Sequence, residues 1–261
     1  MQLEVISKQP QEKTHNAPLL LVHGAWHGAW CWENFLPYFA EHGYEIHALS
    51  LRGHGKSEGH EHIRWFSIRD YLSDLRQVVS RLSTHPILIG HSMGGYVVQK
   101  YLELQNAPAG VLLASVPTTG ILKFLLRWLK RHPTSTLKAL VLLNTWYFVS
   151  TPALAKDAFF SDDFPNEQFL AYYPRTQNES FRMALEMALL RLPRPNKVRT
   201  PLLVLGGESD RIFTVSEHRR TARAYKTEAT IYPNMAHDMM LERGWDNVAD
   251  KILSWLNARN L

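Results

Sequence analysis

The chain predicts an α/β fold, a mostly parallel sheet with helices on both faces and a helical lid inserted over one edge. Short apolar runs of Leu, Val and Ile recur along it, each bounded by turn residues. Such continuous apolar runs fit strands buried on both faces, as in a parallel sheet. Helical patterns lie between them, and that alternation is the signature of helices packed on a parallel sheet. One long stretch breaks the rhythm with helices alone, which reads as an insertion.

The runs appear in order. "PLLLVHG" at 18–24 and "YEIHALS" at 44–50 predict the first two strands. A helix follows at 68–82, where Ile68, Tyr71, Leu72, Leu75, Val78, Val79 and Leu82 fall at three- and four-residue spacing. "PILIGHS" at 86–92 predicts a strand, "YVVQKYLELQ" at 96–105 a helix and "GVLLAS" at 110–115 a strand. The next good strand, "PLLVLGG" at 201–207, comes only after a helical stretch broken by Pro133, Pro152, Pro174, Pro193 and Pro195. "EATIYP" at 228–233 predicts a last, less apolar strand and "NVADKILSWLNARN" at 247–260 a last helix. Residues 1–116 and 198–261 then form one core domain, and 117–197 form the lid.

Bulk properties narrow the function classes. A chain of 261 residues suits one larger α/β domain with an insertion. Hydrophobic residues at 45% and charged residues at 20% allow a packed core and argue against disorder. A net charge of +5 is mild and calls for no nucleic-acid partner. The charge is uneven, however. No Asp or Glu occurs from Leu104 to Lys156, while Lys123, Arg127, Lys130, Arg131, Lys138 and Lys156 all fall there. Such a face suits solvent, an anionic substrate or contact with a membrane surface. The single Cys31 permits no internal disulfide, and the first residues do not read as a signal peptide. The expectation is a soluble, cytoplasmic protein.

Chemistry concentrates at "ILIGHSMGGYVV", residues 87–98. Gly90-His91-Ser92-Met93-Gly94 matches G-x-S-x-G between a strand-like and a helix-like run, the context in which a serine stands exposed on a strained turn. A serine hydroxyl needs a base, and the base needs an orienting acid. In this motif's fold the order is Ser, then acid, then His. Asp210, just past a strand end, and His237, in the loop after the last strand, supply them. Glu208 and Asp238 are the rival acids; Asp238 adjoins the histidine and is expected to point elsewhere. An acyl-transfer oxyanion also needs N–H donors. Met93, after the nucleophile, and Ala25, in the loop after the first apolar run, are the candidates. His23 and His27, like His54, His60 and His62, are spaced as metal ligands would be, yet no cysteine or carboxylate cluster accompanies them. No metal or cofactor is implied.

Taken in order, "HGAW", "LRGHGKSEG", "GHSMGG", "GGESDRI" and "NMAHDM" resemble the α/β-hydrolase superfamily over nearly the whole chain. The resemblance implies an eight-stranded, mostly parallel sheet, a Ser92–Asp210–His237 triad, and "LRGHGKS" as a structural loop after the fourth strand. "HGAWHGAW" at 23–30 is similar to the plant methylesterase and hydroxynitrile lyase group. The lyases have Thr where this chain has Gly24 and a Lys soon after the catalytic histidine, where this chain has none. That favours an esterase-like site. Carbon–carbon bond hydrolases, thioesterases and cofactor-free perhydrolases share the same triad and remain alternatives.

The lid is rich in apolar residues, with Phe124 and Trp128 in "ILKFLLRWLKRHP" at 121–133. One face is expected to pack on the sheet and another to line an acyl pocket with Trp26. The leading reading is a serine hydrolase acting on a carboxylic ester with a hydrophobic, aromatic or lipid-like group. A non-catalytic small-molecule binding protein on the same scaffold is the other class, because a fold alone guarantees no chemistry.

Overall fold

A computed structural model describes residues 1–261. Seven strands form one sheet: β1 (Val5–Lys8), β2 (Leu19–Val22), β3 (Ile46–Leu49), β4 (Ile87–His91), β5 (Gly110–Leu113), β6 (Leu202–Gly207) and β7 (Ala229–Tyr232). Their order across the sheet is β1-β3-β2-β4-β5-β6-β7. Only β1 runs antiparallel, pairing Val5 with Leu49; every other pair is parallel. Strands β2 to β6 are wholly buried, which is why they read as unbroken apolar runs.

The strand count is seven rather than eight. After β1 the chain reads "QPQEKTHNAP", with two prolines and no apolar run from which to build another edge strand. The loop "LRGHGKS" consequently follows the third strand, not the fourth. It is held from within: Asp74 takes the Arg52 guanidinium (Nη2 at 2.6 Å, Nε at 2.9 Å) and the Arg52 N–H at 3.0 Å.

Crossovers place the helices. The chain runs from β2 through α1 (Phe35–Glu41) to β3 in one direction. It then reverses through α2 (Ile68–Val79) to β4 and continues through α3 (Met93–Leu102) to β5. Right-handed connections therefore put α1 on one face and α2 with α3 on the other. After the last strand α10 (Trp245–Asn257) packs on α1, while α2 packs on α3. Helix α2 starts where Ser67 and Asp70 form a reciprocal capping box and buries Ile68, Tyr71, Leu72, Leu75 and Val78. Helix α9 (Val215–Ala224) links β6 to β7.

Between β5 and β6 no strand occurs. That stretch holds α4 (Leu122–Arg131), α5 (Pro133–Val141), α6 (Pro152–Phe159), α7 (Asn166–Tyr172) and α8 (Phe181–Leu185), the last running on into a π-helical turn, Glu186–Leu190. Prolines open α5 and α6 at their first helical positions, where the missing N–H costs nothing. One cluster of 70 buried apolar residues runs through sheet and insertion alike. No helix is long and apolar enough to cross a membrane.

Candidate active site

The reversal of strand order between β2 and β4 opens a crevice beyond their carboxyl ends, the usual place for a ligand in such sheets. The loops that carry the candidate residues all leave the sheet at this end: Ala25 after β2, Ser92 after β4, Asp210 after β6 and His237 after β7.

Ser92 sits at the junction of β4 and α3 with φ 50° and ψ −115°, a strained conformation for a residue with a side chain. Its backbone is pinned: the N–H donates to Leu113 O at 3.0 Å, and its carbonyl accepts from Val116 N at 3.1 Å. Serine is a preferred helix cap, yet here the hydroxyl does not cap α3. The oxygen is left for other use. Close packing explains the glycines around it. A Cβ on Gly94 would meet the backbone oxygens of Val22 and His23, so only glycine lets α3 start against β2. A Cβ on Gly24 would fall 2.6 Å from His91 Nδ1 and 3.0 Å from Ser92 Cβ, so the threonine of the lyases does not fit beside this histidine.

His237 Nδ1 lies 2.9 Å from Asp210 Oδ2, and both residues are buried. The other oxygen of Asp210 accepts from the N–H groups of Ile212 (2.8 Å) and Phe213 (2.9 Å). Burial by itself raises the Asp210 carboxyl. The charge of His237 and the contacts from His218 and His237 outweigh burial and hold it well below the usual carboxylate range. With Nδ1 donating to Asp210, Nε2 of His237 is the acceptor in the neutral ring, and it has no hydrogen-bond partner. The His237 carbonyl accepts from His91 Nε2 at 3.0 Å, tying its loop to the residue before Ser92. Burial pushes His91 down to about 3, with His237 adding to the drop, so this strut is a neutral imidazole. The N–H groups of Ala25 and Met93 find no acceptor within the chain.

Of the rival acids, Glu208 is exposed at the surface. Asp238 is buried and points away from His237 to His27, whose Nε2 is 2.9 Å from Oδ2. His27 Nδ1 lies 2.7 Å from the Ala25 carbonyl. Both ring nitrogens of His27 thus face acceptors, which assigns a hydrogen to each and makes the ring an imidazolium. Burial lowers His27, but the charge and hydrogen bond of Asp238 overcome it and raise the ring above its ordinary value. The same pairing holds Asp238 below its usual range against burial.

The other histidines are committed elsewhere. His23 donates to its neighbour's carbonyl, Gly24 O (2.8 Å), and accepts from Leu51 N (3.1 Å). His54 Nε2 lies 3.0 Å from Glu179. His60 and His62 are exposed. No group of His, Cys, Asp or Glu is arranged to hold a metal ion.

The predicted pocket residues divide. Trp26 and Phe124 each pack on Phe148, with ring centroids 6.3 and 6.2 Å away. Phe124 also meets Phe213, which lies 5.5 Å from the His237 ring. Trp128 sits behind Phe124, against His132, in the insertion's own core. Phe148, Phe213 and His218 are additions to the residues read from sequence. His218 Nε2 lies 3.4 Å from Asp210 Oδ2, a charge contact without hydrogen-bond alignment. Its one sequence signal is the Thr214–Glu217 capping box that starts α9.

Comparison with known proteins places this geometry. Residues 19–251 match the model of the Alpha/beta hydrolase family. A monoacylglycerol lipase of Mycolicibacterium smegmatis is 26% identical over 254 residues, 91% of this chain and 87% of that protein. Methyl jasmonate esterase 1 of Vitis vinifera is 36% identical over 86 residues, covering 32% of this chain and 33% of the plant protein. Among solved structures, a thermophilic esterase from Thermogutta terrifontis superposes over 99% of this chain and 95% of its own, with a TM-score of 0.76 at 18% identity. That last likeness speaks to fold alone. The family match spans most of the chain and agrees with the sheet order, the strained serine turn and the loops at the strand ends: the protein belongs to the alpha/beta hydrolase family.

Proposed function

We propose that the protein is a serine-dependent carboxylic ester hydrolase using Ser92, His237 and Asp210, with residues 117–197 as its lid. The observation that carries the reading is the disposition of His237: Nδ1 bound to a low-lying carboxylate, Nε2 unpaired, on a loop tied through the His237 carbonyl to His91, the residue before a strained serine whose hydroxyl is not spent on capping. Ser92 Oγ attacks the ester carbonyl while His237 Nε2 takes its proton. Asp210 keeps the ring in the tautomer that accepts there and stabilises the imidazolium that forms. The oxyanion of the tetrahedral intermediate accepts from the free N–H groups of Ala25 and Met93, the second at the positive end of α3. The intermediate collapses, His237 gives its proton to the leaving alcohol, and water repeats the sequence on the acyl-enzyme.

The acyl or alcohol group is hydrophobic or aromatic on this reading. Trp26, on the loop after β2, and Phe124 and Phe148 of the 117–197 stretch supply packed apolar surface near the site. The names of the similar proteins, a monoacylglycerol lipase and a methyl jasmonate esterase, support an ester with an apolar portion.

The test is a panel of p-nitrophenyl esters, thioesters, lactones and diketones, with Ser92→Ala as blank. Wild-type protein should turn over esters and label with a fluorophosphonate. Ser92→Ala should lose on the order of a millionfold in kcat and all labelling. Undiminished ester turnover by Ser92→Ala would sink the assignment.

A further inference from the structure

The insertion carries a face that neither the core nor the candidate site uses. Of the 17 large apolar residues exposed on the molecule, 12 fall within 122–143 and 185–192. Scattered exposed leucines need no explanation, but a contiguous group of this size does. Helix α4 contributes three of the twelve. Phe124 and Trp128, four residues apart, turn inward and are buried, while Leu122, Leu126 and Leu129 turn outward. Helix α5 repeats the pattern: Thr136 and Ala139 face in, and Leu137, Leu140 and Val141 face out, Val141 at 69% exposure. The two helices pack on each other. The π-helical turn adds Leu189 and Leu190, the latter 71% exposed. Its Met187 carbonyl accepts from Ile121 N at 3.2 Å, joining it to the start of α4.

The charges among these residues choose the partner. Lys123, Lys130 and Lys138 are exposed on the same two helices, and none has a carboxylate within ion-pair reach. The other cations of the segment are already engaged: Arg127 with Glu217 at 2.8 Å and Arg131 with Asp157 at 2.7 Å. No acidic residue occurs from 104 to 156 to balance the free lysines. A second copy of the chain meeting this face would bring its own lysines against them, and like charges across an interface oppose association. An anionic lipid surface satisfies both halves. Its headgroups take the lysines and its acyl boundary takes the leucines, as for helices that lie in a membrane interface.

We infer that α4, α5 and the Glu186–Leu190 turn form a docking face for an anionic lipid surface. Apolar insertion gives a part of the affinity that is insensitive to salt, and the lysines give a part that salt screens. The inference does not depend on the ester chemistry, so it is tested on protein that cannot turn over.

Full-length Ser92→Ala protein is sedimented with vesicles of phosphatidylcholine alone and of phosphatidylcholine with phosphatidylserine. Binding should be clear on the mixed vesicles, weaker on phosphatidylcholine, and reduced by salt. Lys123→Gln with Lys130→Gln and Lys138→Gln should lower affinity for the mixed vesicles about fivefold per lysine, on the order of a hundredfold together. Leu126→Ser with Val141→Ser should weaken binding to both vesicle types. Circular dichroism melts check that each variant stays folded, and hydrolysis of a soluble short-chain ester by the same changes on the Ser92 background should be retained. No binding to phosphatidylserine vesicles overturns the inference. So does a concentration-dependent dimer that Leu126→Ser with Val141→Ser makes monomeric, because the face would then belong to a second copy. Vesicle binding without ester turnover by the wild type would leave the docking face standing and remove the proposed function.

Discussion

At the scale of single residues, two buried charge pairs frame the site. Asp210–His237 is the pair the proposed chemistry needs. Asp238–His27 is set back to back with it, joining the loop after β7 to the loop that carries the Ala25 N–H. Its pH behaviour follows from the shifts. His27 is raised above its ordinary 6.5, so its contribution to stability is fully present below that value and lost as pH rises through the higher folded value. Asp238 is lowered from 3.8, so its contribution is present above that value and lost as pH falls through the folded one. The pair therefore stabilises most between these limits. Asp238→Asn keeps the shape but strands the imidazolium, and breaking one side of a buried pair costs about 3–5 kcal/mol. Unfolding midpoints should show the gap between wild type and Asp238→Asn largest below His27's ordinary 6.5 and narrowing as pH rises through its raised folded value. A constant gap would mean that His27 is neutral throughout. Sequence could single out Ser92, Asp210 and His237 as candidates, because each sits in a motif next to a strand end. It could not pair His27 with Asp238, which lie 211 residues apart, nor bring His218 to Asp210, since both meetings depend on how the strands are ordered.

At the scale of elements, the turn from β4 into α3 is where local sequence and long-range packing agree most closely. A methyl group on Gly94 would strike the backbone of β2's exit, where nothing can move aside without disturbing the sheet. Gly94→Ala should cost about 3 kcal/mol, the upper range for forcing volume into packed structure, measured by urea unfolding. It should also lower kcat in what folds, because the Met93 N–H shifts with the helix start. An unchanged unfolding midpoint would mean the turn is looser than its contacts indicate. The buried strands were legible for the same reason that this turn is tight: a parallel sheet covered on both faces demands unbroken apolar runs. The misses are elements without that demand. Strand β1 is an edge whose residues are mostly exposed, so "VISK" carries no apolar run. Helix α1 has Pro37 in its first turn, which reads as a break although the first turn tolerates it. Helix α9 is polar on most of its surface and betrays itself only by its Thr214–Glu217 cap.

At the scale of the whole molecule, the question is whether the insertion behaves as a separate unit or as part of one structure. The absence of strands between β5 and β6 was readable in the sequence, but the attachment of that stretch was not, because the ties come from side chains whose partners lie far away in sequence. Glu186 accepts from Ile68 N at 2.7 Å, Gln177 bridges Gly53 O and Gly55 N, and Ser161 N donates to Glu242. Glu179 is the most buried of these ties. It accepts from Tyr71 OH at 2.7 Å and Ser180 N at 2.6 Å and lies 3.0 Å from His54 Nε2. The apolar cluster is continuous as well, with Phe124, Phe148 and Phe159 of the insertion in the same core as the sheet. Calorimetry should therefore show one unfolding transition, not two. Tyr71→Phe removes a single bond to a charged group and should cost about 2 kcal/mol. Glu179→Ala leaves the tyrosine hydroxyl and the Ser180 N–H buried without their acceptor and should cost about 3–5 kcal/mol. Both variants should keep a single, lowered transition, since the continuous core forces the helical stretch and the sheet to unfold together. A second, low-temperature transition appearing in Glu179→Ala would mean that the insertion folds on its own and that this carboxylate, not the shared core, is what binds it down.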